Sequence, residues 1–155
     1  MKAPTTDKKT RLARGARLRA MRKAADLSQS QLAESMSARY SVSRFETGVR
    51  DPGNMTLGMA SRLAAALNMD VDTFARTLLD IPAWPTIPPR RYETLRRRLN
   101  HLGHDNAWLA AQAGLTPSQI SKYLNGTVYM PQLSLERATL LAQTVHASLT
   151  DLEQW

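Results

Sequence analysis

Few side chains in this sequence are equipped for covalent or metal chemistry. His101 and His104 stand three apart with Asp105 beside them, a spacing at which two imidazoles on one helix face can hold zinc. A fourth ligand is missing, and Gly103 weakens any helix between them, so ordinary helix-end histidines are the simpler reading and no metal is expected. His146 stands alone. The chain has no Cys, hence no thiolate nucleophile, no disulfide framework and no Cys-based zinc site. It carries no Gly-rich phosphate loop, no Gly-x-Ser-x-Gly elbow and no paired-carboxylate site. Without a nucleophile set against a base, an enzyme is not expected, and no cofactor is implied.

What remains is positive charge. The formal net charge is +8 over 155 residues, and it is uneven. Residues 1–80 hold 14 Lys and Arg against 8 Asp and Glu, a net of +6; residues 81–155 hold 7 against 5, a net of +2. Such an excess suits a polyanion, usually nucleic acid, although it also serves solubility; the motifs must decide.

The elements that would position these cations are helical. Hydrophobic residues make up 43% of the chain, with only 2 Phe and 4 Tyr, so the core must be mostly Leu, Ala, Met and Val. Residues 1–10 read as a flexible basic arm. A helical stripe of Leu12, Ala16, Leu18, Met21 and Ala25 runs from Arg11 to Ala25. Ser28 is placed to cap a second helix ending near Met36, and a short third should run from about Arg39 to Glu46, ended by Gly48. Met55, Leu57, Met59, Ala60, Leu63, Ala64 and Leu67 mark a fourth helix; Asp72, Phe74, Leu78 and Leu79 mark a fifth. Residues 81–90 contain four prolines, cannot continue a helix, and predict a semi-rigid linker, up to roughly 30 Å if fully extended.

After the linker the pattern restarts. Leu18 matches Leu95, and Leu32-Ala33 matches Leu109-Ala110, at an offset of 77. Phe45 and Tyr123, Gly48 and Gly126, Leu57 and Leu135, Ala60 and Ala138, Leu63 and Leu141, Ala64 and Ala142, and Phe74 and Leu152 match at 78. The chain is therefore an internal repeat in which the first copy lacks one residue between Ala33 and Phe45. In the second copy Asp105 can cap a helix bearing Trp108, Leu109 and Ala113. Gly114 can close that helix in the left-handed conformation, Leu115 buries the turn, and Thr116 or Ser118 caps the next helix with Pro117 in its first turn.

The string from Leu109 to Gly126, LAAQAGLTPSQISKYLNG, closely resembles the xenobiotic-response-element family of regulators, which includes phage repressors and Cro proteins. Residues 27–33, LSQSQLA, and 43–52, SRFETGVRDP, look like the same family. The resemblance covers about residues 11–79 and 91–153. It implies an all-α chain: a first five-helix lambda-repressor-like helix-turn-helix domain at 11–80, a Pro-rich linker at 81–90 and a second such domain at 91–155. It further implies a sequence-specific double-stranded DNA-binding regulator, a repressor that occludes a promoter, reading the major groove with recognition helices at about 39–46 and 117–124. The first copy departs in its turn, where Ser37-Ala38 replaces the family's Gly-hydrophobe pair and is one residue short.

By that resemblance Arg39, Tyr40 and Arg44 face the bases in the first copy, and Thr116, Pro117, Ser118 and Lys122 in the second. Arg39 and Arg44 can make bidentate contacts to guanine O6 and N7, or contact phosphate. Ser28 and Gln29, with Thr47, Val49 and Arg50 and their counterparts Asn125 and Thr127, would lie along the phosphate backbone and set register without reading sequence. Arg22 and Glu46 occupy positions where the family places a structural ion pair; in the second copy they become Leu99 and Leu124. Both partners change together, as they must if neither is to be left buried and unpaired, so Arg22 is expected to touch Glu46 and Leu99 to touch Leu124. Arg96-Arg97-Arg98 would reach phosphate or form a solvated face.

Two architectures are open. One chain could act as a covalent pseudo-dimer, or a homodimer could use only the first units. The rival function is a protein-interaction or antitoxin-type adaptor whose second unit is a dimerisation or partner-binding surface, anchored by Trp108, Trp155, Leu149 and Leu152. After Leu99 the second unit has Lys122 and Arg137 against Asp105, Glu136, Asp151 and Glu153, a net of −2 that phosphate would repel. No membrane span, secretory signal or small-molecule effector site is seen, and a cytoplasmic location, nucleoid-associated when bound to DNA, is the expectation.

Overall fold

The computed structural model describes residues 6–36 and 42–155. Among these the chain is all-α, with ten helices and no sheet. The first half runs α1 (Lys8–Ala24), α2 (Gln29–Ala33), α3 (Val42–Glu46), α4 (Leu57–Ala66) and α5 (Val71–Leu79). The second half runs α6 (Leu95–His101), α7 (Asn106–Ala113), α8 (Pro117–Leu124), α9 (Leu135–Thr144) and α10 (Leu149–Glu153). A single 3₁₀ turn precedes α4 (Pro52–Asn54) and α9 (Met130–Gln132).

The helix starts are encoded locally. Asp7, Ser28, Thr56, Asp70, Thr94, Asp105, Thr116, Ser134 and Ser148 each sit in extended backbone just before a helix. Each side-chain oxygen accepts a hydrogen bond from the N–H three residues on. Ser28 with Gln31, and Thr116 with Gln119, form reciprocal capping boxes. The cap at Asp7 corrects the expected arm: Lys8–Thr10 are the first turn of α1, because Asp7 accepts from Thr10 N at 2.7 Å. Helix α2 stops at Ala33, short of the expected Met36.

Each half buries one face of every helix in a common core. Leu18, Leu32, Phe45, Leu57, Leu63, Phe74 and Leu78 fill the first half; Leu99, Leu109, Ile120, Leu135, Leu141, Leu149 and Leu152 fill the second. Each such side chain contributes about 1.5–3 kcal/mol of burial. The halves differ in their opening helix. Helix α1 has 17 residues and α6 only 7, so the first ten residues of α1, nearly three turns, have no helical counterpart.

The proline-rich segment 81–90 forms no helix, as its prolines dictate. It is not a free spacer. Trp84 Nε1 donates to Ala147 O at 2.8 Å, Ile87 N donates to His146 O at 2.7 Å, and Arg98 Nη2 donates to Ile87 O at 2.7 Å. The segment is laced to the α9–α10 turn of the second half.

The halves pack on each other about a pseudo-twofold axis. Thr56 and Ser134, 78 residues apart, form an antiparallel bridge. Leu57 N donates to Leu133 O at 2.8 Å, and Leu135 N donates to Met55 O at 2.7 Å, so the two bonds exchange under the offset of 78. Helix α4 packs on the 3₁₀ turn before α9 as α9 packs on the one before α4. Helix α5 lies on α9 as α10 lies on α4, while α4 meets α9 and α5 meets α10 near the axis.

Candidate nucleic-acid interface

In the first half α1 holds α3 from behind. Gly15 makes this approach: a Cβ there would stand 2.5 Å from the Glu46 carbonyl oxygen and closer still to that of Phe45. Two turns further along α1, Arg22 Nε donates to Glu46 Oε2 at 2.6 Å and Nη2 donates to Oε1 at 2.9 Å, while Nη1 donates to Leu27 O at 2.9 Å. Gln29 Nε2 donates to Glu46 Oε1 at 3.2 Å. Burial alone would push the Glu46 carboxyl up; the bonds from Arg22 and Gln29 outweigh it and hold its pKa below the ordinary 4.5. The bonds to Glu46 in turn raise Arg22 above its ordinary value. These contacts make both residues supports for α3, with Gln29 bound into the same network.

The opposite side of α3 is open. Ser43 and Arg44 are exposed, and so are Thr47, Val49 and Arg50 in the loop that follows. Gly48 takes a φ of +75° to turn the chain, and Arg11 Nε donates to its carbonyl at 3.1 Å. Arg50 N donates to Arg44 O at 3.0 Å, and Thr47 Oγ1 donates to Ser43 O at 2.8 Å, which fixes the loop against the end of α3. Arg39 and Tyr40 lie outside the described residues.

In the second half α7 and α8 carry a different set of side chains. Gly114 closes α7 at a φ of +64°, Leu115 tucks under the turn, and Thr116 caps α8. Pro117 takes the first helical position, where its missing N–H is not needed. Pro117, Ser118, Ser121 and Lys122 are exposed along α8, and Thr116 is half-buried with its oxygen in the capping bond. Val128 N donates to Lys122 O at 3.2 Å, the counterpart of the Arg50–Arg44 bond. Asn125 Oδ1 accepts from Thr127 N at 3.0 Å, and both residues are exposed. Leu99 and Leu124 are both in the core where the first half has its ion pair.

The histidines stay apart from this surface chemistry. The His104 ring stacks on Trp108 at 3.6 Å between centroids, and His101 Nε2 is 2.6 Å from Arg90 Nη2. Among the described residues no three His, Cys, Asp or Glu side chains gather as a metal site, and no helix is long and apolar enough to cross a membrane.

Two arginines act in ways that sequence reasoning missed. Arg98 is fully buried and reaches neither solvent nor phosphate. It donates to Glu93 Oε1, Val145 O, His146 O and Ile87 O at 2.7–3.3 Å, and its guanidinium lies 5.0 Å from the Trp155 ring centroid. Arg14 donates to both oxygens of Asp51 at 3.1 Å and reaches across to Glu136 of the second half at 3.4 Å. Burial would lower the Arg14 pKa, but the Glu136 and Asp51 carboxylates more than offset it. The signal was present: Arg14 shares a helix face with Leu18, and Arg98 with Leu95, Leu99 and Leu102, so each arginine interrupts an apolar stripe.

Residues 15–77 match a family model described as a helix-turn-helix domain. No curated protein and no solved structure matches the chain. The match spans α2, α3 and the Gly15 and Arg22 contacts that hold them. The chain thus carries a helix-turn-helix domain in its first half, the mark of a DNA-binding regulator.

Proposed function

We propose that this protein is a sequence-specific double-stranded DNA-binding repressor of the xenobiotic-response-element type, with α3 and α8 entering the major groove. The observation that carries the reading is the equivalent presentation of Arg44 and Lys122. Both are exposed on the open side of a short helix, both have a carbonyl that accepts from the N–H six residues on, and both lie 78 residues apart in register. On this reading Arg44, with Arg39 and Tyr40 beside it in sequence, reads bases in the first half. Pro117, Ser118 and Lys122, with Thr116 behind them, read a weaker set in the second. Exposed Ser28, Gln29, Thr47, Val49, Arg50, Asn125 and Thr127 would line the phosphates and set register. Binding by such a surface represses by covering a promoter.

The negative charge of the second half is less of an obstacle than its sum suggests. Glu136 is engaged by Arg14, and Glu153 Oε2 accepts from Ser61 Oγ at 2.6 Å, so two of its acids are turned into the contact between halves. The adaptor reading anchors a partner on Trp108, Trp155, Leu149 and Leu152. Leu149 and Leu152 are buried with α10 packed on α4 and α5 of the same chain, which disfavours those two anchors, while Trp108 and Trp155 are half-buried.

The test is salt-titrated binding to random and selected duplexes, comparing wild type with Arg44→Ala and Lys122→Ala. A base-reading Arg44 should cost about 1–3 kcal/mol on a selected site. Unchanged affinity in both variants, on both duplexes, would remove α3 and α8 from the groove.

A further inference from the structure

The contact between halves answers a question that the helix-turn-helix units alone leave open: how many chains make one DNA-binding unit. We infer that one chain is the complete unit, a built-in heterotypic pseudo-dimer whose ligand is a non-palindromic duplex carrying two different half-sites. The inference rests on the DNA-binding reading above, and deepens it by naming the class of operator.

The symmetric part of the contact supplies the geometry. Leu57 N to Leu133 O and Leu135 N to Met55 O exchange under the repeat offset, and the α4–α9 and α5–α10 meetings lie close to the axis. A twofold relation is what two half-sites about 34 Å apart on one face of a duplex require of two equivalent helices.

The asymmetric part specifies the partner. Asp72 accepts from Leu149 N at 2.7 Å and from Thr150 Oγ1 at 2.9 Å. Thr150 is the repeat counterpart of Asp72 itself. Pair the first half with a second copy of itself about the same axis, and Asp72 faces Asp72. Arg14 then meets Gly58 where it now meets Glu136, and Ser61 meets Ala75 where it now bonds Glu153. Pair the second half with itself, and Glu136 must occupy the place of Gly58, where even a Cβ would stand only 3.3 Å from Pro131. Each homotypic pairing thus loses contacts and gains a repulsion or a clash, while the heterotypic one satisfies every group named. Specificity of this kind depends on disfavouring the alternatives as much as on fitting the partner.

Covalent connection favours the same outcome. Segment 81–90 joins the halves and is tied to the second half through Trp84 and Ile87, which keeps α9 and α10 at high effective concentration beside α4 and α5. The two recognition surfaces differ, Arg44 on one and Lys122, Ser118 and Pro117 on the other, so one chain presents two unlike readers.

The experiment uses the full chain. Its mass is measured free and on a duplex selected from a random library, and the selected sequence is inspected for symmetry. A monomer when free, one chain per duplex, and two unlike protected half-sites about one helical turn apart are expected. A concentration-dependent homodimer, two chains per duplex, or a palindromic selected site overturns the inference and leaves the DNA-binding reading standing. Selection of no sequence overturns the DNA-binding reading, and with it the operator class. A second arm uses Thr150→Asp, with Thr150→Val as the uncharged control. The aspartate faces Asp72 and should weaken binding to the selected duplex at least about tenfold at low salt, with a smaller loss for valine. Equal affinity for Thr150→Asp and wild type would show that the axis contact does not hold the two readers in register.

Discussion

Replacing Arg22 with Leu should destabilise the fold strongly, and replacing Glu46 as well should largely restore it. In Arg22→Leu, Glu46 loses two bonds of 2.6 and 2.9 Å and keeps only the 3.2 Å bond from Gln29. Its side chain is 2% exposed, so water cannot substitute. Leaving one member of a buried pair uncompensated costs about 3–5 kcal/mol. At roughly 2–4 °C per kcal/mol for a chain of this size, Tm should fall by about 10 °C. Glu46→Leu should sit near the low end of that range, because Arg22 keeps its bond to Leu27 O and a long stem that can carry the guanidinium outward. In Arg22→Leu/Glu46→Leu neither charge remains, Gln29 is exposed and can turn to water, and the site comes to resemble Leu99 and Leu124 of the second half. Its stability should lie within about 1 kcal/mol of wild type. Urea unfolding of the four proteins, followed by helical circular dichroism, gives the coupling energy directly. If the double variant lost the sum of the two single losses, the guanidinium and carboxylate would be acting independently, and the account of how α1 holds α3 would be refuted.

Three further outcomes follow from the same geometry. The folded Glu46 pKa lies below its unfolded value, so its contribution is present above about 4.5 and disappears as pH falls through the depressed folded value; the urea midpoint of wild type should drop over that window, while Arg22→Leu/Glu46→Leu shows a shallower drop. Gly15→Ala should lower stability by about 1–3 kcal/mol despite alanine's better helix propensity, because its Cβ meets backbone carbonyls of α3 that cannot swing away; a rise in Tm would mean that α1 and α3 are not in this contact. Arg98→Met should cost about 3–5 kcal/mol, since it leaves the Glu93 carboxylate, 3% exposed, without its guanidinium, and the Val145 and Ile87 carbonyls without its bonds; thermal unfolding checks this, and a loss under 1 kcal/mol would show that the clasp is incidental.

The recognition surface shows how far local signals reach. The cap at Thr116, the proline at the first helical position and the Ile120–Tyr123–Leu124 stripe predict a helix at 117–124, and α8 spans Pro117–Leu124. The Arg22–Glu46 pair follows from the family resemblance and from the joint change to Leu99 and Leu124, and the two side chains meet at 2.6 Å. Arg96-Arg97-Arg98 shows the limit. Sequence alone gave three equal cations, whereas the α9–α10 turn and the 81–90 segment take Arg98 into the core and leave Arg96 and Arg97 exposed.

By itself, then, the sequence determined most of the helices and the caps at Ser28, Asp105 and Thr116, and it carries the repeat offsets of 77 and 78. The helices and caps follow from hydrogen bonds and periodicities within a few residues. The tertiary structure alone decided that α4 and α5 close on α9 and α10, that Arg14 and Glu136 meet across 122 positions, and that Asp72 caps its own counterpart's helix. Apolar stripes say which face of a helix must be buried, but many faces are equally apolar. Which one meets which is settled by the few polar and steric contacts at the rim, and those form only once distant parts of the chain are side by side.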